Sequence, residues 1–304
     1  MSRTLVAMTS LENNISVFGD KLTYKDGKVG KPAFDLLNWI PNPFVDLFQK
    51  EAMVDIYFNT QTDGIVTSKT GQPVGLKNRG TNGHPARFIP GKNCTFPSIS
   101  GRLEKHKYVQ IQADETPTDP KHPKTTCFSI QNVPTATHNG QNCIIFISFQ
   151  NMEKFISPNP RILFTNDSET RSVQIARLTD HVGEIIIKCG QRKTSLQHSY
   201  TQWQQLKVQY TCQEGLVECN YTLYNHGSKN HSGTITAPVD PKDTQNDFYI
   251  GGFGSIKRPS HLAGVFNLSK IQVYNFYNKE LLPKEMTSLI LQRLHKRSQQ
   301  TITS

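Results

Sequence analysis

Between Cys127 and Cys189 the chain offers five strand-length runs in succession: Cys127 to Ile130, Cys143 to Phe149, Arg161 to Phe164, Ser172 to Ala176 and Glu184 to Cys189. Each is rich in β-branched or aromatic residues, which suit a pleated, half-buried surface better than a helix. Several are apolar on both alternating sides, so both faces of the strands they form must be covered, as in the layers of a sandwich. No helix-length pattern interrupts them. The run therefore predicts an all-β chain built as an antiparallel sandwich. Composition agrees where it bears on this: only 36% of the 304 residues are hydrophobic, while Thr, Ser, Asn, Gln, Gly and Pro supply polar turns between short strands.

Further elements follow from the same patterning. Met53 to Phe58 reads as a strand, the Gly- and Asn-rich stretch from Asp63 to Gly83 as turns, and Lys107 to Ile111 as a short strand before an exposed, proline-bearing loop at 117–123. Trp203 to Tyr210 alternates strictly, with Trp203, Gln205, Lys207 and Gln209 on one side and Gln204, Leu206, Val208 and Tyr210 on the other. Cys219 to Tyr224 forms its return strand. Only the end of the chain is convincingly helical, where Pro283 suits a first-turn position and Met286, Leu289, Ile290 and Leu294 share a face. This helix is expected to cap the sandwich, and the polar tail from Ser298 to Ser304 has no reason of its own to order. The resulting division is an N-terminal arm at 1–48, a sandwich at 49–282, and a helix with its tail at 283–304.

The arm ends in an apolar stretch in which Pro41 and Pro43 forbid a continuous helix. Its aromatic and aliphatic side chains, Phe34, Leu37, Trp39, Phe44 and Phe48, must bury against the main domain or against a neighbouring chain. They are the candidate assembly residues.

The order of elements after residue 80 resembles the concanavalin A-like superfamily, and within it the laminin-G-like jelly-roll domains. The matched places are Lys107 to Ile111 after a Gly/Asn-rich loop, Phe128-Ser129-Ile130, the tryptophan-led strand from Trp203, Phe248-Tyr249-Ile250-Gly251-Gly252, and a closing strand from Gly264 to Asn275. Leu281 to Glu285, leading into a short helix, resembles the usual ending. The resemblance implies an antiparallel jelly-roll β-sandwich whose closing strand returns beside the first and seals an edge, and in which Trp203 belongs to the core. It implies little about function, because this sandwich serves lectins, hydrolases, adhesion modules and virion proteins alike.

The hydrolases of that superfamily carry a Glu-x-Asp-x-Glu-like strand that places two carboxylates on one face. This sequence contains no Glu-x-Asp, and Asp180 and Glu184 are assigned to a loop and a strand start. No nucleophile elbow, phosphate-binding loop or His-Glu-x-x-His helix is present. The ten histidines, His181, His198, His226 and His231 among them, fall mostly in turn-like segments and are expected to be solvated. No enzyme is expected, and no cofactor. Calcium is the one metal the resemblance suggests, with oxygens from Asn166-Asp167 and from Asp243 to Asp247. The six cysteines, at 94, 127, 143, 189, 212 and 219, show no Cys-x-x-Cys pair or zinc spacing. Cys212 and Cys219 flank a hairpin and would pair in an oxidising compartment; without a visible export signal, free thiols are expected. Six Asn-x-Ser/Thr sequons read as chance in an Asn- and Thr-rich chain.

The formal charge of +10 is scattered, with one modest cluster at Arg293, His295, Lys296 and Arg297, so it reads as solvated surface and nucleic acid is not the expected partner. No window approaches a membrane-spanning length. The N-terminus lacks the apolar core of a signal peptide, which favours a virion or the cytoplasm over secretion. The preferred expectation is a non-enzymatic structural subunit of a larger particle, such as a capsid-associated virion component with other protein subunits as partners. The alternative is a glycan-binding lectin or host-attachment module, with loop-borne Tyr, Asn and His near 198–232 as its contacts. A glycoside hydrolase is a distant third.

Overall fold

Alternation, carried along strands long enough to cross the molecule, decides the architecture. The structure, a computed structural model, describes residues 15–18, 21–24, 49–58, 63–90, 96–97, 99–100, 108–111, 126–153, 156, 160–224, 231–241, 243, 247–252, 264–276 and 284–299. The chain divides into two units, 1–47 and 48–304. In the first, β1 (Ile15–Phe18) and β2 (Lys21–Tyr24) pair as a hairpin, with Phe18 opposite Lys21. The sequence reading assigned no strand there. The expected assembly residues Phe34, Leu37, Trp39, Phe44 and Phe48 lie outside the described residues.

In the second unit the strands are β3 (Val54–Tyr57), β4 (Ile65–Thr67), β5 (Pro73–Leu76), β6 (Ala86–Pro90), β7 (Ile99–Ser100), β8 (Tyr108–Ile111) and β9 (Thr126–Ile130). They continue as β10 (Asn142–Asn151), β11 (Arg161–Asn166), β12 (Arg171–Arg177), β13 (Val182–Cys189), β14 (Arg192–Ser199), β15 (Trp203–Gln213) and β16 (Leu216–Tyr224). After β17 (His231–Pro238), β18 (Phe248–Ile250) and β19 (Phe266–Phe276) comes the helix α1 (Lys284–Gln299). Two antiparallel sheets result. One runs β17-β16-β15-β10-β19-β8-β7, with β3 also paired to β19; the other runs β14-β13-β12-β11-β18-β9-β6-β5-β4.

The all-β sandwich is thus as the sequence predicts. Between the sheets lie Ile145, Ile147, Phe149, Leu206, Val208, Ile271 and Val273 from one and Val173, Ile175, Ile185, Ile187, Phe248 and Ile250 from the other, all in one buried cluster. Each fully buried side chain of this size contributes about 1.5–3 kcal/mol, so this layer dominates the stability. The closing strand β19 does return beside the first, pairing Val273 with Val54 and Ile271 with Ile56. It does not seal an edge, because β10 flanks its other side. Gly251 ends β18 at φ +81° and sends its N–H to the Leu163 carbonyl at 2.9 Å, a left-handed turn that an L side chain would strain.

Two local expectations change. The stretch read as turns contains two short strands, β4 and β5, and the segment after β5 is tied to β3 by Asn78, whose Oδ1 accepts from the N–H groups of Asp55 and Gly80, both at 2.9 Å. The helix covers the sandwich, lying on the outer face of the first sheet against β10, β15 and β19. Ile290, Leu291 and Leu294 are buried there, while Met286 and Leu289 are half-buried. Ser298, however, is not part of a loose tail: it is fully buried in the last turn, accepts from Gln205 Nε2 at 3.1 Å and donates to the His295 carbonyl at 2.7 Å. Among the described residues no helix is long and apolar enough to cross a membrane.

Candidate functional site

The two segments expected to carry oxygen ligands do meet, at one rim of the nine-stranded sheet. Asn166 ends β11 and Arg171 opens β12, so residues 167–170 make the intervening turn. Asn166 ties the turn together: its Oδ1 accepts from the Arg171 N–H at 3.0 Å, and its Nδ2 donates to Ser168 at 3.0 Å and Thr170 at 3.3 Å. Across from the turn stands Asp243. Its Oδ1 accepts from Ser168 and from Thr170, the latter at 2.5 Å, and its Oδ2 pairs with the Arg171 guanidinium at 3.0 Å. Both side chains of that ion pair are fully buried.

Arg171 faces inward, its guanidinium 5.9 Å from the centre of the Tyr210 ring. Tyr210 stands opposite Cys143 and Cys219 in the neighbouring strands and donates to the Lys188 carbonyl at 3.0 Å, linking the two sheets. Burial pushes the Cys143 thiol up to about 12, against the opposing influence of Arg171, and the Cys127 thiol likewise to about 12. Cys127, Cys143, Cys189, Cys212 and Cys219 are all unpaired. Cys212 stands opposite Val217 rather than Cys219, so the two flanking thiols are diagonal neighbours in the ladder.

Outside this buried knot, the same rim presents a half-exposed carboxylate. Asp167 Oδ1 accepts from the Tyr249 hydroxyl at 2.9 Å and Oδ2 from the Asp247 N–H at 2.8 Å. Burial raises the Asp167 carboxyl above its ordinary range, opposed by those two donors and reinforced by the Asp247 charge. Burial, then the Asp167 charge, raises the Tyr249 phenol. Tyr249 also belongs to a row across the outer face of the sheet. Successive register partners run Lys193, Lys188, Ser172, Thr165, Tyr249, Ser129 and Arg87, from β14 to β6. Ser172 and Thr165 are fully buried, whereas Lys193 and Arg87 at the flanks are exposed.

As a calcium site this arrangement has given away one of its expected donors, since both Asp243 oxygens are committed. Among the described residues, no three His, Cys, Asp or Glu side chains converge as metal ligands. Other expected contacts scatter. His198 is not solvated: it is 4% exposed, edge-on to Phe149, and burial pushes its imidazole down to about 4. The residue beside it must be Gly183, because a Cβ there would sit 2.4 Å from His198 Nε2. His231 is exposed on the edge strand β17, and His226 lies outside the described residues. Trp203 is buried as expected, but on the outer face, edge-on to Tyr108 at 5.8 Å. Asp180 pairs with Arg177, and Glu184 stands opposite Ala176 and Gln197. The sequons at Asn166 and Asn267 are buried with their amides hydrogen-bonded, an environment unsuited to glycosylation.

A second charged locus was not expected to be more than surface. At the last turn of α1, Arg297 donates to the Phe58 carbonyl at 2.8 Å and lies over the Tyr57 ring, 5.0 Å from its centre. His295, in the same sequence cluster, is buried and contacts Gln205 Oε1 at 3.1 Å. The solvated-surface reading of that cluster therefore fails for these two residues: helix periodicity turns them toward the sheet.

No family model matches the sequence, and no curated protein does. Among solved structures, the fold is similar to that of an arabinofuranosidase complexed with arabinofuranosyl-alpha-1,2-xylobiose, with TM-score 0.52 and 6% identity over 83% of this chain and 64% of that one. Weaker similarities reach the receptor-binding domain of botulinum neurotoxin mosaic serotype C/D, with TM-score 0.45, 9% identity, and 80% and 51% covered. They also reach the binding domain of botulinum neurotoxin DC in complex with rat synaptotagmin II, with TM-score 0.42, 10% identity, and 81% and 52% covered. The chain spans between about half and just under two thirds of these proteins. The class defined by the fold is the antiparallel β-sandwich.

Proposed function

We propose that the chain is a non-catalytic binding module of the concanavalin A-like, laminin-G-like type, and that its ligand is a glycan held at the rim around Asp167 and Tyr249. The observation that carries this reading is the Asp167 carboxylate, half-exposed yet fixed by the Tyr249 hydroxyl and the Asp247 amide. A carboxylate held rigidly is a good acceptor for sugar hydroxyls, because no side-chain freedom is lost on binding and charge-assisted bonds are the stronger ones. Ser129 and Arg87, next along the row, extend the polar surface. The solved neighbour that carries a sugar ligand supports the same direction at the level of fold.

The non-catalytic part of the reading is supported by the strands of the nine-stranded sheet. They contain a single carboxylate, Glu184, whereas glycoside hydrolysis uses two that face each other across the bond. A glycan array probed with and without calcium tests the proposal. Binding should weaken about ten- to hundred-fold in Asp167→Asn and in Tyr249→Phe, the loss of bonds to a charged group being about 1.5–3 kcal/mol. An array blank in both conditions overturns the ligand, and release of reducing sugar from any bound glycan overturns the non-catalytic reading. The structural-subunit role is the second reading, carried by the apolar side chains from Phe34 to Phe48.

A further inference from the structure

On the outer face of the first sheet, which shares no strand with the rim, β15 carries a buried lysine that meets no carboxylate. Lys207 is 5% exposed. Its register partners are Thr222 on β16 and Phe146 on β10, and its neighbours along the same side of β15 are Gln205 and Gln209, so none of the four is acidic. Among the described residues no hydrogen bond or ion pair reaches its ammonium. Burial holds that ammonium down to about 8, opposed by the Cys219 thiol and by no described carboxylate. At pH 7 most of it therefore stays charged.

Two amides on the same face are left open near it. Gln209 is fully buried, and neither its Oε1 nor its Nε2 has a hydrogen-bond partner. Gln205, two residues earlier, differs: His295 and Ser298 of α1 engage that amide. The register partners of Gln209 do not help. Ile144 is apolar, and Asn220 is already committed to Glu218 at 2.7 Å and to Thr234 at 2.6 Å. Asn142, fully buried, stands diagonal to Gln209 across the β10–β15 ladder; its Oδ1 accepts from Thr211 at 2.6 Å, while its Nδ2 donates to nothing. Same-side and diagonal neighbours in a sheet lie about 7 Å apart, which Lys and Gln side chains can span. The locus thus holds unpaired donors on three side chains and an unpaired acceptor on one. A water molecule donates as well as accepts and brings no charge, so it answers this set poorly. A carboxylate only accepts, at two oxygens, and supplies the counter-charge. Of the three side chains Lys207 alone retains any exposure, so the occupant has to be small.

We propose that Lys207, Gln209 and Asn142 form a site for a small free carboxylate, which accepts from the ammonium and from the two amide N–H groups. The site is independent of the glycan reading, since it shares no residue with the rim. Calorimetric titration of the full chain at pH 7 and constant ionic strength tests it, with formate and then glucuronate read over a chloride blank. The expected result is saturable one-to-one binding of formate, weakened tenfold or more in Lys207→Met and in Gln209→Glu and unchanged in Asp167→Asn. Gln209→Glu sets a carboxylate beside the ammonium from within the chain, so it competes with formate and carries the test even if Lys207→Met fails to fold. Absence of saturable formate binding overturns the site and leaves ordered water as its occupant. Formate binding that changes less than twofold in Gln209→Glu overturns it too. Glucuronate bound as tightly as formate overturns the small free acid in favour of an acidic sugar.

Discussion

Replacing Asp243 by Asn should be among the most damaging single changes in the sandwich, and more damaging than removing its partner Arg171. The two side chains form a fully buried ion pair at 3.0 Å, but their other contacts are unequal. Asp243 Oδ1 keeps Ser168, Thr170 and Asn166 as donors whatever happens to Arg171. Arg171 has, besides Asp243, a long bond of 3.4 Å to the Thr170 carbonyl and the Tyr210 ring face. Asp243→Asn therefore strands a buried guanidinium and should cost about 3–5 kcal/mol, the usual loss when one partner of a buried pair is removed. Arg171→Met fills much of the same volume and leaves a carboxylate with three donors, so about 1–3 kcal/mol is expected. The double variant should cost less than the two losses added together, since each single change already breaks the same bond. Urea unfolding, compared at constant m-value, gives all three numbers. An Asp243→Asn loss below about 1 kcal/mol, or one smaller than that of Arg171→Met, would refute the idea that the pair is held asymmetrically.

Two other outcomes are expected. His198 has a folded-state pKa of about 4 against an ordinary 6.5, so the unfolded chain binds its proton first and stability is lost as pH falls from 6.5 towards 4. At about 1.36 kcal/mol per unit, that is roughly 3 kcal/mol; the pH dependence of wild type minus His198→Gln should show this slope, and parallel curves would exclude it. If the chain is an assembly subunit, deleting residues 1–48 should abolish the larger species seen by native mass spectrometry, and an unchanged mass distribution would remove that reading.

Where alternation alone decides the outcome, the sequence could be read directly. Ile144 and Ile145 point to opposite faces of β10, and both are fully buried, as the unbroken apolar run demands. Helix periodicity likewise located α1. Where a face is polar, the pattern was blind to what lies on it. Gln205, Lys207 and Gln209 make one side of the alternating run from Trp203 almost wholly polar, yet they are 0%, 5% and 0% exposed. The rim was legible only in part: Asn166-Asp167 and Asp243 stood out as oxygen-rich, but nothing local announced that Arg171 would take the Asp243 carboxylate across 71 intervening residues of chain. The gathering of Arg79, Lys270 and Arg297 around Tyr57 was not legible for the same reason, since they come from three elements far apart in sequence, brought together by the pairing of β19 with β3 and by the bonds of Arg79 and Arg297 to the carbonyls of Tyr57 and Phe58.

The polar outer face beneath α1 also explains how so hydrophilic a helix stays docked. Register places Tyr224, Gln205, Ser148, Lys270 and Tyr57 in one row and Thr222, Lys207, Phe146, Gln272 and Asp55 in the next. Three aliphatic side chains of α1 are buried over this face, whose described apolar residues include Ile144, Phe146 and the Tyr274 ring that stands edge-on to Phe146 at 6.1 Å. Hydrogen bonds must supply much of the remaining specificity, and they do so at the C-terminal half: His295 and Ser298 both engage the Gln205 amide, Arg293 engages Gln49, and Arg297 engages Phe58. Each such bond is worth only about 0.5–1.5 kcal/mol net, but leaving the buried Gln205 amide unpaired would cost about 1–3 kcal/mol. The helix is thus held less by what it gains than by what its departure would leave unsatisfied. Lys207, with its ammonium pushed down to about 8 by burial, belongs to the same covered face.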